Sequence, residues 1–100
     1  MPEFKIKISR AVGNIPMHEI KFTNDIQHYA KKQAYDEVEN DVTYAHLNFY
    51  TEGDEYAASL FRINNNVEKE VEGMPVFSFT LKNGKYHLNE PKIKFENEDK

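Results

Sequence analysis

The chain carries four histidines, His18, His28, His46 and His87, and these are its most versatile chemical groups. Imidazole is a ligand for zinc, copper or nickel and titrates near neutral pH. No two of the four stand at the i, i+4 spacing that puts a metal-binding pair on one helix face. His46 and His87 fall in segments that read as strands, and sheet pairing could bring them together on one surface. With no ligand motif around them, both read as ordinary exposed strand residues, and no metal and no cofactor is expected. The three serines, Ser9, Ser59 and Ser78, lie on predicted strands, and none sits in the Gly-x-Ser-x-Gly turn that exposes a nucleophile. There is no cysteine, which excludes thiol catalysis, thiolate zinc sites and disulfides. The four glycines are isolated and none opens a helix, so a phosphate-cradling loop is excluded too.

Carboxylates are abundant, yet their spacing is that of solvated surface. Glu52, Asp54 and Glu55 surround a predicted turn without the ligand spacing of a calcium loop, and Glu68, Glu70 and Glu72 alternate along an extended segment. No catalytic residue is expected, and the chain reads as a protein without enzymatic activity.

What remains is contact chemistry. Tyr44, His46, Asn48 and Tyr50 alternate along Val42 to Tyr50, which reads as a strand with Ala45, Leu47 and Phe49 on its other face. Tyrosine combines apolar area with a hydroxyl and is enriched where proteins meet. Acid-rich stretches at 36–41, 52–55, 68–72 and 96–99 could form a negative stripe that mimics a phosphate backbone and occupies the basic cleft of a nucleic-acid enzyme. The net charge of −4, with eleven lysines and only two arginines (Arg10 and Arg62), argues against direct binding of nucleic acid or an anionic membrane. The expectation is a protein-binding module, an inhibitor or adaptor acting by surface occlusion, with Tyr44, His46, Tyr50, Glu52 and Asp54 as its contact residues. Two alternatives stand beside it. One is a small-ligand protein or enzyme with a pocket between helix and sheet, lined by Tyr29, His18 or His28. The other is a structural subunit of an oligomer, and a homodimer formed edge to edge is also open.

Richness in Lys, Asn, Ile, Glu and Tyr suits an AT-rich genome, which points to a low-GC bacterium, or its phage or plasmid, as the source. No basic start leads into an apolar run, and no apolar stretch nears the roughly 18–20 residues of a membrane span. A cytoplasmic protein is expected, in the host cytoplasm if phage-encoded.

The elements that must position these residues follow from periodicity. Phe4, Ile6 and Ile8 alternate on one face of a first strand; Val12-Gly13-Asn14 is a turn; His18, Ile20 and Phe22 share a face of a weaker second strand that Pro16 suits as an edge. Thr23-Asn24-Asp25 offers helix-capping chemistry, and the pattern then changes to a helical period from about Asp25 to about Asn40. Ile26, Tyr29, Ala30, Ala34 and Val38 form the apolar stripe, with Tyr35 opposite. Glu37, Glu39 and Asp41 crowd the helix C-terminus, where the dipole disfavours negative charge.

Tyr56 to Ile63 is a further strand ended by Asn64-Asn65-Asn66. Residues 67–72 are extended and exposed, and Gly73-Met74-Pro75 breaks the chain. Phe77 to Leu88 is a β-hairpin around Asn83-Gly84, whose two residues tolerate the positive φ angles of a type I′ turn. That loop length sets Leu81 opposite Tyr86, Thr80 opposite His87 and Phe79 opposite Leu88. Ile93 and Phe95 read as a short edge strand. The result is one α+β domain over residues 1–95, with an amphipathic helix on one face of an antiparallel sheet of about five or six strands, order β-β-α-β-β-β-β. Residues 96–100 form a charged tail expected to be disordered.

Overall fold

The computed structural model describes residues 2–25, 27–71 and 77–90, with only the backbone of residues 27 and 28. β1 (Glu3–Arg10) turns through a short 3-10 segment (Val12–Asn14) into β2 (Ile15–Thr23). α1 (Gln27–Asn40) runs on into a π-helical turn (Asp41–Ala45) and a 3-10 turn (Leu47–Phe49). β3 (Glu55–Asn64), β4 (Val67–Glu70), β5 (Phe77–Lys82) and β6 (Lys85–Leu88) follow. All ladders are antiparallel, in the order β2-β1-β3-β5-β6, with β4 also paired to β3. The first half of β3 pairs with β5 and its second half with β4, so one ten-residue strand seats both hairpins.

Alternation decides which face is buried. Phe4, Ile6 and Ile8 on β1 and Tyr56, Ala58 and Leu60 on β3 point to the helix side, joined by Phe77, Phe79 and Leu81 of β5. The stripe Ala30, Ala34, Val38 and Val42, repeating every fourth residue, closes over them without solvent exposure. The helix backbone can approach the sheet because two of these are alanines. That close approach also covers Tyr35, expected on the far side of the helix: its ring lies 4.5 Å from that of Phe77 and it is buried. Tyr29, expected on the stripe, is among the exposed side chains. The opposite sheet face carries Lys5, Lys7, Glu19 and Glu68 in a chain of ion pairs, with the Lys7 ammonium 4.5 Å above the Phe61 ring.

The turns follow their residue types. Asn83 and Gly84 have φ of 54° and 75°, and the hairpin register is Leu81 to Tyr86, Thr80 to His87 and Phe79 to Leu88, as the sequence predicts. Asn65 and Asn66, at φ of 52° and 66°, make a second two-residue turn between β3 and β4. Residues 15–23 are a strand, at the sheet edge as Pro16 indicates.

The main correction concerns Val42 to Tyr50, which is not a strand. Its alternation of apolar and polar residues imitates one, but Val42 completes the fourth-residue repeat of the helix and Tyr50 is needed in the core. Burial at both ends pulls the segment into tight helical turns, an instance of packing overriding β propensity. The six strands are still reached, because Val67–Glu70 pairs with β3. Expectations that rest on Ile26, the side chain of His28, Gly73 to Pro75, Ile93, Phe95 and the tail 96–100 fall outside the described residues. Among the described residues no helix is long and apolar enough to cross a membrane.

Candidate functional site

The crossover from α1 to β3 gathers the chain's polar chemistry around one carboxylate. Asp41 lies three residues beyond Val38, so the helical turn carries it onto the buried side, and its side chain is only 8% exposed. Its Oδ2 accepts a hydrogen bond from the Tyr50 hydroxyl at 2.6 Å. Its Oδ1 meets His46 Nδ1 at 2.8 Å and His18 Nε2 at 3.2 Å. Burial, the largest influence on Asp41, works to raise its pKa. The hydrogen bonds from Tyr50, His46 and His18 together outweigh it and hold the carboxyl below its ordinary value. An ionised carboxylate only accepts, so both imidazoles present an N–H to Oδ1. The helix-end penalty expected for Asp41 is thereby offset by three donors. The Tyr50 hydroxyl is pushed well above its ordinary pKa, first by burial and then by the Asp41 hydrogen bond and charge, which keeps it a donor.

Each partner arrives from a different element. His18 is on β2, where the pairing steps from Ile8 with His18 to Ser9 with Pro16 and leaves Met17 as an extra, bulged residue. Because it pairs with Ile8, His18 faces the helix side of the sheet. His46 follows the π-helical turn, and its own N–H donates to the Asp41 carbonyl at 2.7 Å. Phe49 packs on both imidazoles, with ring centroids 5.1 Å from His18 and 6.1 Å from His46. Tyr50 sits edge-on against Tyr56 and Phe79 at 5.2 and 5.9 Å, and the Tyr56 hydroxyl accepts from the Thr51 N–H at 2.7 Å.

The five expected contact residues are divided by this arrangement. Tyr44 is 82% exposed and His46 is exposed, as a contact role requires. Tyr50 is 4% exposed, so the Tyr-bearing outer sheet face does not exist; its hydroxyl is committed to Asp41 because a carboxylate so deeply buried needs donors. Glu52 accepts from the backbone N–H groups of Asn83 and Gly84, clamping the β5–β6 turn. Asp54 accepts from Arg10 at 2.7 Å. His46 meets His18 rather than His87, which lies opposite Thr80 on the other face. The residues that sequence reasoning missed here are His18 as a partner of His46, and Asp41. Their signal was present: each is a polar residue at an apolar position of its element's period.

Two shallow, open depressions flank the cluster. One, about 380 Å³, is lined by Ile20, Glu37, Asn40, Asp41, Tyr44 and Ala45. The other, about 440 Å³, lies along Lys7 to Ser9 and Pro16 to Glu19. Among the described residues no serine hydroxyl meets a histidine. No family model, no curated protein and no solved structure matches the chain.

Proposed function

We propose that the chain is a non-enzymatic protein-binding module, an inhibitor or adaptor that acts by surface occlusion through the α1–β3 crossover. One observation carries this reading. Within six residues the crossover exposes three large apolar side chains, Tyr44 at 82%, Phe49 at 43% and Leu47 at 38%, while Val42 and Tyr50 on either side are buried. Apolar side chains concentrated on so short a segment are a contact surface in waiting. The buried ends and the Asp41 hydrogen bonds hold the segment in one conformation, so docking it costs little ordering entropy. Aromatic anchors of this kind dominate binding energy where they enter a partner's pocket. Glu37 beside Tyr44 adds an acidic rim, which suits a partner whose pocket is apolar at its centre and basic at its edge.

The test is affinity capture from the producing organism with three baits: the wild type, Y44S/F49S, and V67S, which alters another exposed apolar residue on β4. The double variant should lose the captured protein and V67S should keep it, with circular dichroism confirming both folds. Equal capture by the double variant refutes the assignment, as does a wild-type bait that holds nothing above an unrelated control.

A further inference from the structure

We propose that His18, Asp41 and His46 form a binding site for a single divalent transition-metal ion of the zinc type. The three ligand atoms, His18 Nε2, Asp41 Oδ1 and His46 Nδ1, all lie within 4.8 Å of one another. Zinc binds imidazole nitrogen and carboxylate oxygen at about 2.0–2.2 Å, and a tetrahedron of that size has edges of about 3.3–3.6 Å. The two edges that meet at Asp41 Oδ1 are 3.2 and 2.8 Å, so small side-chain rotations seat an ion between the three atoms. On binding, each imidazole would carry its proton on the other ring nitrogen and turn the freed lone pair to the ion, which takes the place of the two N–H hydrogen bonds to Oδ1.

The surroundings have the features of a supported metal site. Asp41 Oδ2 is held by the Tyr50 hydroxyl, which fixes the carboxylate and turns Oδ1 toward the imidazoles, the outer-shell orientation that metal ligands need. Phe49 forms an apolar wall against both imidazole rings, which themselves lie 4.7 Å apart. The half-exposed His46 and the depression that reaches Asp41 and Tyr44 give an entry path. Two imidazoles and one carboxylate select zinc, nickel or copper over magnesium and calcium, which require an all-oxygen shell. Three protein ligands leave a fourth position open to solvent or to a donor atom from outside the chain. The ligands come from β2, the first residue of the π-helical turn and the residue that follows that turn, so a bound ion would tie the sheet edge to the crossover.

The test uses the full chain without a polyhistidine tag and titrates it with Zn²⁺ by calorimetry, with Co²⁺ absorption reporting the ligand field. The expected result is one ion per chain, a raised melting temperature in Zn²⁺, and affinity reduced at least about tenfold in H46A and again in H18A. H87A, which alters a histidine on the other sheet face, should bind as the wild type does. Urea midpoints establish that each variant is folded, and because His46 is half-exposed, H46A is informative even if H18A is destabilised. Absence of Zn²⁺ binding by the wild type overturns the assignment. So does undiminished binding by folded H46A.

Discussion

Replacing Tyr50 by Phe isolates the interaction on which the crossover's shape depends. The change removes one hydroxyl and leaves the ring, whose contacts with Tyr56 and Phe79 persist. What is lost is a 2.6 Å hydrogen bond from a buried donor to the Asp41 carboxylate. Hydrogen bonds to charged groups contribute about 1.5–3 kcal/mol. The imidazoles of His46 and His18 continue to donate to Oδ1, so the carboxylate is not orphaned, and the cost stays near the middle of that range rather than the roughly 3–5 kcal/mol of breaking a buried ion pair. Y50F should therefore lose about 2 kcal/mol, a fall of roughly 8–16 °C in melting temperature for a domain of this size. Urea unfolding followed by circular dichroism measures it, with the midpoint lowered and the slope unchanged. Y44F, which removes an exposed hydroxyl, should stay within about 0.5 kcal/mol of wild type. A cycle with D41N should show that Y50F costs much less once the carboxylate is neutral. If Y50F is as stable as Y44F, the Asp41 network does not hold the crossover, and the preorganisation argued for its apolar surface fails.

Two further outcomes test the sheet. Gly84 holds φ of +75° with open space where a Cβ would stand, so G84A should cost only the left-handed backbone penalty of about 1–2 kcal/mol, read as a urea midpoint shift; an unchanged midpoint refutes the turn assignment. On the open face, the Glu68 carboxyl is drawn down to about 2 by its hydrogen bonds from Lys5 and Lys7. A carboxylate whose folded pKa lies below its unfolded value of about 4.3 stabilises the fold above that value and loses the effect as pH falls toward the folded one. The stability gap between wild type and E68Q should be constant above about pH 5 and close as pH falls to about 2; a gap independent of pH refutes the ion-pair assignment.

The parts legible in the sequence are those whose cause is local. Asn83-Gly84 dictates its own turn, and the turn dictates the register of every pair along β5 and β6. Alternation in Phe4 to Ile8 and the fourth-residue spacing of Ala30, Ala34 and Val38 declare their buried faces without reference to anything distant. Val42 to Tyr50 misleads because its alternation is equally compatible with an irregular turn, and what separates the two is whether Val42 and Tyr50 are both claimed by the same core. Tyr35 misleads for a related reason: how much of a helix is covered depends on how closely it approaches the sheet.

The sequence by itself determined the α+β class, the Asn83-Gly84 turn and the buried faces of β1 and β5, because backbone preferences and apolar periodicity act within a few residues. Only the tertiary structure decided that His18, Asp41, His46 and Tyr50 meet. A bulge at Met17 and a helix overrunning its expected end set their positions, and burying one carboxylate required donors that lie 5, 9 and 23 residues away along the chain.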